Sequence, residues 1–330
     1  MATRQLRRQD YTVGWVSALP IELAAAEEML DEEHESLDQD ANDTNIYTLG
    51  RIGDHNVVIS CLPAGQTGTN SAAAVAVQMK SAFPNIRFGL MVGIGGGVPS
   101  TESDIRLGDV VVSQPHNGHG GVVQYDFGKA TPDKFEQTGF LNTPPPILLN
   151  AVTKIRANYL RGRGRLSQYL STFSNISHFT CTNVNPDVLF EASYIHNHAG
   201  GNTCELCSKD KVLKRQPRTD QEVVVHYGTI ASGNQVIRDA ATRDRVSSEF
   251  GGVLCFEMEA AGLMNSFPCL VIRGICDYAD SHKNKKCQGY AAATAAAYTK
   301  EVLSVIPKPA VDKAPTVNET IQKAEKEKEG

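Results

Sequence analysis

Carboxylates stand beside two apolar segments in the last third of the chain. Glu257 and Glu259 follow the apolar run 253–256, and Asp277 ends the next apolar run along the sequence. Buried strands rarely carry carboxylates unless those groups are paired, hydrogen-bonded or used in chemistry. Open α/β sheets bind their ligands in the crevice outside the carboxyl ends of the strands. We therefore expect the three acids to converge on one site; the structural alternative makes Glu257 a buried partner of Arg273.

A glycine-rich segment follows another apolar run. Gly93, Gly95 and Gly96 come directly after residues 87–92, which the pattern predicts to be a strand. Glycines let a ligand approach the backbone closely, and their N–H groups can face an anion. The segment lacks the Gly-Lys-Ser/Thr of a P-loop and the glycine spacing of a dinucleotide-binding turn. Both a binding loop and a simple tight connection fit this pattern.

A second group of ligand-type side chains lies in a polar part of the chain, at His196, His198, Cys204 and Cys207. The two cysteines have the CxxC spacing of a tetrahedral zinc site. The chain contains only this one CxxC pair, so ordinary surface thiols and loop histidines are the alternative. A structural zinc ion therefore stays open, and we expect no other cofactor.

Composition limits the classes of function. The chain has 330 residues and a net charge of −5, which argues against broad nucleic-acid binding. No apolar run approaches the length of a membrane span, and the N-terminus lacks the apolar core of a signal peptide. The 8 cysteines are scattered, as expected for free thiols in a reducing compartment. We expect a cytoplasmic protein whose partner is a small molecule, with neither nucleic acid nor membrane bound.

The alternation of predicted strands and helices indicates an α/β fold. We expect a single three-layer domain, with a twisted, mixed central sheet flanked by helices. Strands are predicted at 11–18, 46–52, 55–62, 87–92, 109–113, 122–126, 223–231, 253–256 and 269–272, and helices at 20–30, 70–81, 238–250 and 289–305.

Three segments fall outside this core pattern. Residues 1–10 read as an N-terminal extension of a domain that covers 11–307. Within that domain, the polar stretch 161–222 reads as an inserted loop or cap. Residues 308–330 are rich in Lys, Glu and Pro and are expected to be a disordered tail or linker.

Four blocks of sequence carry a resemblance to a known family. They are VGWVSALPIELAA, LMVGIGGGV with GDVVVS, IASGNQVI, and FEMEAAG with RGICDYAD. Together they resemble the nucleoside phosphorylase/nucleosidase superfamily, particularly its fungal branch fused to NACHT, ankyrin or other repeat domains. The resemblance implies the same three-layer fold and a site near a subunit interface, and hence a homodimer or higher homo-oligomer.

The family cleaves N-glycosidic bonds either by phosphorolysis or by hydrolysis. Its phosphorylases place a phosphate-binding Arg in the segment after the first strand, where this chain has Glu22. The hydrolytic methylthioadenosine/S-adenosylhomocysteine nucleosidases have a Glu there that activates water. Two further phosphate-binding positions correspond to Met91 and Ile94, whose side chains do not bind anions. An acid in place of a cation repels phosphate, which favours hydrolysis and leaves phosphorolysis as the alternative.

The resemblance also implies roles for the acids. Asp277 would donate a proton to purine N7, and an apolar strand end favours its protonated form by desolvation. Glu22 would orient and deprotonate the attacking water. Glu259 would accept hydrogen bonds from the ribose hydroxyls, with Met258 packed on the sugar. In this arrangement Asp277 and Glu22 must flank one nucleoside.

The base pocket would include the segment that contains Ser232, Asn234 and Val236, together with Asp277. Cys276 stands at a position that is often Ser in the nucleosidases, which puts that contact with the base in question.

The 5′ substituent of the substrate depends on the basic residues. Five of them are candidates for binding phosphate: Lys283, Lys285, Lys286, Arg215 and Arg218. The polar insertion and the fungal-branch resemblance favour adenine nucleosides or nucleotides such as ATP over methylthioadenosine. A rival of another class is a non-catalytic nucleotide sensor in an immune-type receptor. Retention of Glu22, Glu259 and Asp277 argues against that rival.

Overall fold

The computed structural model describes residues 4–38, 40–132, 135–180, 187–201, 203–218 and 223–329. Its strands are β1 Val13–Ser17, β2 Glu32–Glu33, β3 Tyr47–Ile52, β4 His55–Cys61, β5 Phe88–Gly97, β6 Val110–Ser113, β7 Val122–Gln124, β8 Gly128–Ala130, β9 Phe135–Gln137, β10 Val225–Gly228, β11 Ile230–Ser232, β12 Cys255–Glu257 and β13 Cys269–Asp277. Its helices are α1 Pro20–Glu27, α2 Thr69–Ala82, α3 Pro146–Leu160, α4 Leu166–Leu170, α5 Ala240–Glu249, α6 Gln288–Ser304, α7 Lys308–Lys313 and α8 Val317–Glu329.

One mixed sheet organises the described part of the chain. Its main path runs β10-β6-β13-β5-β1-β4-β3-β2, while β12, β11 and β7 continue from the far end of β5. At the centre β5 pairs parallel with both β1 and β13, so the carboxyl ends of these three strands lie at one edge. β12 pairs antiparallel with the end of β5, and the carboxyl end of β12 lies in the same region.

Helices cover both faces of the sheet. One apolar core joins one face to α1, α3 and α6, and α6 contributes five alanines between residues 292 and 297. The other joins the opposite face to α2, whose small residues Ala72 and Ala76 are fully buried. Small side chains let these helices lie close to the strands, because interiors pack without voids. The predicted three-layer α/β fold with a mixed central sheet is confirmed.

The glycine-rich segment differs from the prediction. It continues β5 as strand through Gly97, although the sequence indicates a loop from Gly93 onward. The residues from Gly93 to Gly96 pair with β13, and the last two glycines pair with β12. These two ladders together supply backbone hydrogen bonds that offset the low strand propensity of glycine.

The C-terminal segment also differs from the expected disordered tail. Residues 308–329 form α7 and α8, and Val311 and Val317 are buried. The N–H of Val317 donates to the carbonyl of Ile86 at 2.8 Å, which ties the segment to the residues before β5. Two well-placed valines therefore anchor a segment whose composition indicates no core; residue 330 lies outside the described residues.

The described parts of the 161–222 insertion pack on the core. They contain α4 and several short 3₁₀ turns, and Phe173 and Phe179 are buried against α6. Residues 181–186, 202 and 219–222 lie outside the described residues. Among the helices described, none combines the length and apolar character needed to cross a bilayer.

Candidate active site

The ends of four elements converge on one cleft. Glu22 lies in the first turn of α1, directly after β1, and Glu257 ends β12. Arg273 and Asp277 belong to β13, and Glu259 follows Glu257 by two residues. These positions adjoin because the strands share the edge described above. The expected convergence of Glu257 and Glu259 is therefore present, and Glu22 joins them.

The cleft has a volume of about 140 Å³. Its walls include three of the acids, two basic side chains, both apolar and polar residues, and part of the glycine segment. They are Ala18, Leu19, Glu22, Thr67, Ile94, Gly95, Gly96, Gln235, Val236, Ile237, Phe256, Glu257, Met258, Glu259, Arg273, Cys276, Ala279, Lys283 and Gln288.

Arg273 is the charge at the centre of the site, and it is 1% exposed. Its Nη2 forms an ion pair with Glu257 and lies 3.4 Å from Glu259 Oε2, while Nη1 donates to the Ile94 carbonyl at 3.3 Å. Burial lowers the pKa of Arg273, but the surrounding carboxylates outweigh it and raise that pKa overall. The sequence named Arg273 only as a partner of Glu257; an arginine inside an apolar strand is the signal of its wider role.

Glu257 is committed to structure. Its carboxylate accepts the N–H of Glu259 at 3.1 Å and the N–H of Ala260 at 3.0 Å, in addition to the Arg273 ion pair. Its side chain is 0% exposed. This is the ion pair that the sequence offered as the structural alternative for Glu257.

Glu22 has acceptor capacity left. Its Oε2 accepts the N–H groups of Ala18 and Leu19 at 2.7 and 2.9 Å, and its Oε1 accepts the N–H of Ile94 at 2.8 Å. A carboxylate offers about four lone-pair sites, so one on Oε1 remains for a water or ligand. Burial raises the pKa of Glu22, against the opposing effects of Arg273 and the three N–H groups. The side chain is fixed in direction and more basic than an exposed Glu.

Glu259 is the less saturated of the two glutamates beside β12. Its Oε1 accepts the N–H of Gly68 at 3.2 Å, and its Oε2 faces Arg273. Burial raises the pKa of Glu259 to about 7, with Arg273 opposing the shift and the neighbouring glutamates adding to it. The free acceptor sites of Glu259 suit a ligand that donates hydroxyl hydrogen bonds.

Two glycines of β5 make room for the acids. A Cβ on Gly93 would lie 2.3 Å from Glu22 Oε1, and a Cβ on Gly96 would lie 2.8 Å from Asp277 Oδ1. Both distances are far below van der Waals contact, so side chains at these positions would displace the carboxylates. The glycines predicted to approach a ligand instead approach protein side chains, although Gly95 and Gly96 also line the cleft.

Asp277 lies one layer behind the cleft wall. Its Oδ1 accepts the N–H of Ala279 at 2.9 Å, and its Oδ2 contacts Lys283 Nζ at 2.9 Å and Cys276 Sγ at 3.0 Å. These three partners line the cleft, whereas Asp277 itself lines a neighbouring cavity that shares Cys276 as a wall. The expectation that Asp277 and Glu22 open onto one cavity is therefore not met while Lys283 covers the carboxylate.

The residues predicted to hold the base separate into two groups. Val236 and Met258 line the cleft, and Val236 is 53% exposed at its mouth. Ser232 is buried and accepts the N–H of Ala261 at 2.9 Å, and Asn234 accepts the N–H of Thr69 at 3.0 Å. Ser232 and Asn234 therefore support the walls and do not line the cleft.

The five predicted phosphate-binding residues do not form a common site. Arg215 pairs with Asp187, and Arg218 holds Asp109 through two contacts at 2.6 and 2.7 Å. Lys285 and Lys286 are exposed and do not line the cleft, and Lys283 is paired with Asp277. Cations that are already neutralised by carboxylates are poor anion sites.

Three of the four predicted metal-ligating residues come together elsewhere, where the insertion meets the loop after β13. The ligand atoms of His196, Cys204 and Cys207 all lie within 4.8 Å of one another. His198 is exposed and outside this group.

Three relatives give the sequence context of this geometry. A nucleotide-binding leucine-rich repeat (NLR)-like protein from Hyaloscypha variabilis is 49% identical over 304 residues, which are 91% of this chain and 30% of the relative. A 5′-methylthioadenosine/S-adenosylhomocysteine nucleosidase from Mycobacterium tuberculosis is 26% identical, over 90% of this chain and 97% of the relative. ATP nucleosidase Cap17 from Escherichia coli is 25% identical, over 87% of this chain and 50% of the relative. The chain thus spans half or less of two of these proteins. No protein-family model matches the chain.

Solved structures give the fold. A 5′-methylthioadenosine/S-adenosylhomocysteine nucleosidase from Colwellia psychrerythraea in complex with adenine aligns with a TM-score of 0.59 and 17% identity, over 91% of this chain and 98% of the other. The futalosine hydrolase of Helicobacter pylori aligns with a TM-score of 0.57 and 17% identity, over 89% and 98%. The chain therefore has the nucleoside phosphorylase/nucleosidase fold, and the resemblance to that superfamily predicted from its sequence is confirmed.

Proposed function

We propose that this chain hydrolyses the N-glycosidic bond of purine ribonucleosides of the adenine class and releases the free base. One observation carries the proposal: Glu22 and Glu259 face the same cleft with acceptor sites unfilled, while the remaining acid of that cleft, Glu257, is consumed by Arg273. A carboxylate for water and another for the sugar are what such a hydrolysis needs.

Glu22 holds and deprotonates the attacking water. Its open lone pair on Oε1 orients the water, and its three N–H donors keep the carboxylate from rotating. As the base leaves, positive charge develops on the ribose and makes the water a stronger acid. The raised pKa of Glu22, caused by burial, makes it a better proton acceptor at that moment.

Glu259 and Met258 bind the ribose. The carboxylate accepts hydrogen bonds from the sugar hydroxyls, and its negative charge stabilises the positive charge that develops on the ring. Arg273 keeps Glu259 in place at 3.4 Å without occupying both of its oxygens. Met258 supplies an apolar wall beside the sugar.

Asp277, in its carboxylic acid form, gives its proton to purine N7 as the glycosidic bond breaks, and becomes a carboxylate. Its carboxylate is 2.9 Å from the Lys283 ammonium, so the lysine must move aside before the base can reach the acid. Lys283 is only partly buried, with 29% of its side chain exposed, and belongs to a loop. Binding therefore replaces one partner of Asp277 with another, and the partly exposed Lys283 ammonium returns to water.

The charges of the cleft favour hydrolysis over phosphorolysis. Among the described residues that line it, Arg273 and Lys283 are the basic ones, and both are paired with carboxylates. Three glutamates face them, so an entering phosphate meets more negative than positive charge.

The same balance favours a nucleoside without a charged 5′ group over a triphosphate. ATP is nevertheless the second candidate substrate, because the Cap17 relative is named an ATP nucleosidase. Its triphosphate would have to be bound by groups outside the cleft described above.

The experiment is an assay of base release. Adenosine, methylthioadenosine, AMP and ATP are each incubated with the protein in phosphate-free buffer, and free adenine is quantified by chromatography. We expect adenine from at least one of them without phosphate. Release only after phosphate is added would establish a phosphorylase instead, and no release under either condition would overturn the proposal.

The variant Asp277→Asn distinguishes an enzyme from a sensor that binds the nucleoside without cleaving it. If the chain is an enzyme, Asp277→Asn should lower turnover by about 10²–10⁴-fold and change the affinity for the nucleoside little. Asp244→Asn, at an exposed carboxylate beside Arg243, is the matched control and should turn over normally. Ligand bound by the wild-type chain and recovered intact after long incubation would establish the sensor.

A further inference from the structure

We propose that His196, Cys204 and Cys207 bind a zinc ion, with His282 as the fourth ligand. The site joins the insertion to the loop after β13, and it is independent of the proposed hydrolysis. Three observations support it: the closeness of the ligand atoms of His196, Cys204 and Cys207, the hydrogen bond of His196, and the His282 ring nearby, which has no hydrogen bond.

The three core ligands are already close together. Their ligand atoms lie within 4.8 Å of one another, and His196 and Cys207 are buried while Cys204 is partly buried. Tetrahedral zinc, with bonds of about 2.3 Å to sulfur and 2.0–2.1 Å to nitrogen, places its ligand atoms about 3.5–3.8 Å apart. A contraction of about 1 Å around an ion completes the geometry, which rotations of the side chains can supply.

The hydrogen bond of His196 leaves one ring nitrogen for a metal. Its Nε2 lies 3.1 Å from the carbonyl oxygen of Thr203, and a carbonyl only accepts, so Nε2 carries the proton. The lone pair of a neutral imidazole is then on Nδ1. Metal-bound histidines almost always donate their other N–H to a carbonyl or carboxylate in this way. The ring is therefore held as a ligand would be.

His282 is a buried histidine without hydrogen-bond partners. It is 8% exposed, and neither ring nitrogen has a hydrogen bond. Its Nδ1 lies 3.7 Å from Asp280 Oδ2, which is too long for a hydrogen bond, so both ring nitrogens are available as ligand atoms. An unpaired polar ring in a buried position costs free energy unless something binds it.

The two histidines are separated as ligands of one ion are. Their ring centres lie 5.5 Å apart, and two imidazoles on one tetrahedral zinc have centres about 5 Å apart. The ring of His282 stacks on Phe190 with centres 4.0 Å apart, which fixes its plane. Cys204 Sγ is within 4.0 Å of the His282 carbonyl, so the thiol lies beside the same loop.

The chemistry of this set selects zinc. Two thiolates and two imidazoles are a known tetrahedral zinc combination, whereas calcium and magnesium require oxygen ligands. Cys204 and Cys207 flank a 3₁₀ turn closed by the Cys207 N–H and the Cys204 carbonyl at 3.1 Å, which directs both thiols to one side. A disulfide between them is the competing state of the same pair.

The ion would fasten the insertion to the loop that covers Asp277. His282 immediately precedes Lys283, and the N–H of His196 donates to Ser281 Oγ at 3.0 Å. Ligation would limit the movement of this loop and so position Lys283.

The test begins with the metal content of the full 330-residue chain, purified without added metal and without a metal-affinity tag. Elemental analysis should find about one zinc per chain. Co²⁺ exchanged into the site should show the absorption bands of tetrahedral thiolate-bound cobalt. No zinc and no binding of added Zn²⁺ would overturn the proposal. So would reduced Cys204 and Cys207 that re-form a disulfide in the presence of Zn²⁺ and bind no zinc.

Variants locate the ion. Cys204→Ser with Cys207→Ser should abolish zinc binding, whereas Cys61→Ser, at a cysteine outside the cluster, should retain one zinc. His282→Ala should weaken binding by at least about 10–100-fold and alter the cobalt spectrum, with exposed His198→Ala as the matched control. Circular dichroism checks that each variant is folded. Retention of the metal by the double cysteine variant overturns the site, and unchanged affinity in His282→Ala overturns its fourth ligand.

Discussion

Two groups of chemically capable side chains lie near each other in this molecule and are held in different ways. The cleft acids stand at the ends of strands and on the first turn of a helix, and Glu22 alone receives three backbone N–H donors. The His196–Cys204–Cys207 cluster is held by short turns of an insertion, and the neighbouring His282 ring has no hydrogen-bond partner. Both are largely buried, so exposure does not distinguish them.

The difference separates geometry that the protein fixes from geometry that a ligand completes. In the cleft, backbone donors hold each carboxylate whether or not a substrate is bound, which suits a preorganised catalytic site. In the cluster, the protein brings the side chains together but leaves both ring nitrogens of the adjacent His282 without a hydrogen bond, as expected where a metal supplies a missing bond. The number of partners per polar atom therefore distinguishes the two regions.

The largest expected effect is the loss of turnover in Glu22→Gln. An amide holds a water but does not take its proton, so kcat should fall by about 10²–10⁴-fold while zinc content stays unchanged. The measurement is adenine release, alongside elemental analysis. Glu28→Gln, on an exposed residue at the end of the same helix, is the control. Turnover within a factor of two of the wild type would show that Glu22 takes no part in the chemistry. The contrast between a preorganised cleft and a cluster completed by a ligand would then fail.

Glu257→Gln tests whether one acid of the cleft is structural. Removing a partner of the buried Arg273 should lower the free energy of unfolding by about 3 kcal/mol, since breaking a buried pair typically costs 3–5 and Glu259 still faces the arginine. Urea unfolding can be followed by the fluorescence of Trp15, the chain's single tryptophan, which is buried. Glu259→Gln should not destabilise the fold, because the amide avoids burying a charge, and it should raise KM instead. Equal destabilisation by both variants would contradict the assignment of separate roles.

Stability should fall as pH rises from about 4.5 to 7. Burial raises the pKa of Glu259 from 4.5 to about 7, so the folded state holds this proton more tightly than the unfolded chain. The stabilisation is complete below the unfolded pKa and lost as pH rises through the folded one. At 1.36 kcal/mol per pH unit, the loss is about 3 kcal/mol.

Glu259→Gln should remove this part of the pH dependence, because the amide resembles the protonated acid. The comparison is the free energy of unfolding against pH for both chains. Glu22, whose pKa burial also raises, leaves a residual slope of the same sign. Parallel curves for wild type and variant would show that Glu259 titrates alike in both states.

The smallest effect concerns Lys283, where the two regions meet. Lys283→Gln removes the cation that contacts Asp277 at 2.9 Å, so the substrate no longer competes with the lysine for this carboxylate. Removing about 1 kcal/mol of this competing interaction should lower KM by about 5-fold. Zinc content should not change, because Lys283 is adjacent to the proposed ligand His282 without being one. Lys285→Gln, two residues along and exposed, is the matched control. A higher KM would mean that the lysine assists binding.

Local pattern was sufficient for most elements and for the residue types of the cleft. Apolar β-branched runs predicted β1, β4 and β13, and the resemblance identified Glu22 before any contact was known. Pattern failed at Gly93–Gly97, where strand forms because β13 pairs with residues 93–96 and β12 pairs with residues 96–97. It also failed after residue 307, where Val311 and Val317 find apolar surface that only the folded core provides.

The amino-acid sequence by itself determined the fold class and which acids stand at strand ends, because these follow from the periodicity of apolar residues and from order along the chain. Tertiary structure alone decided how the charges are shared. In the folded chain Glu257 pairs with Arg273, and Lys283 pairs with Asp277. Glu22 and Glu259 keep free acceptor sites. Such pairings depend on distances of about 3 Å between residues far apart in the chain, and a linear pattern of residue types does not specify those distances.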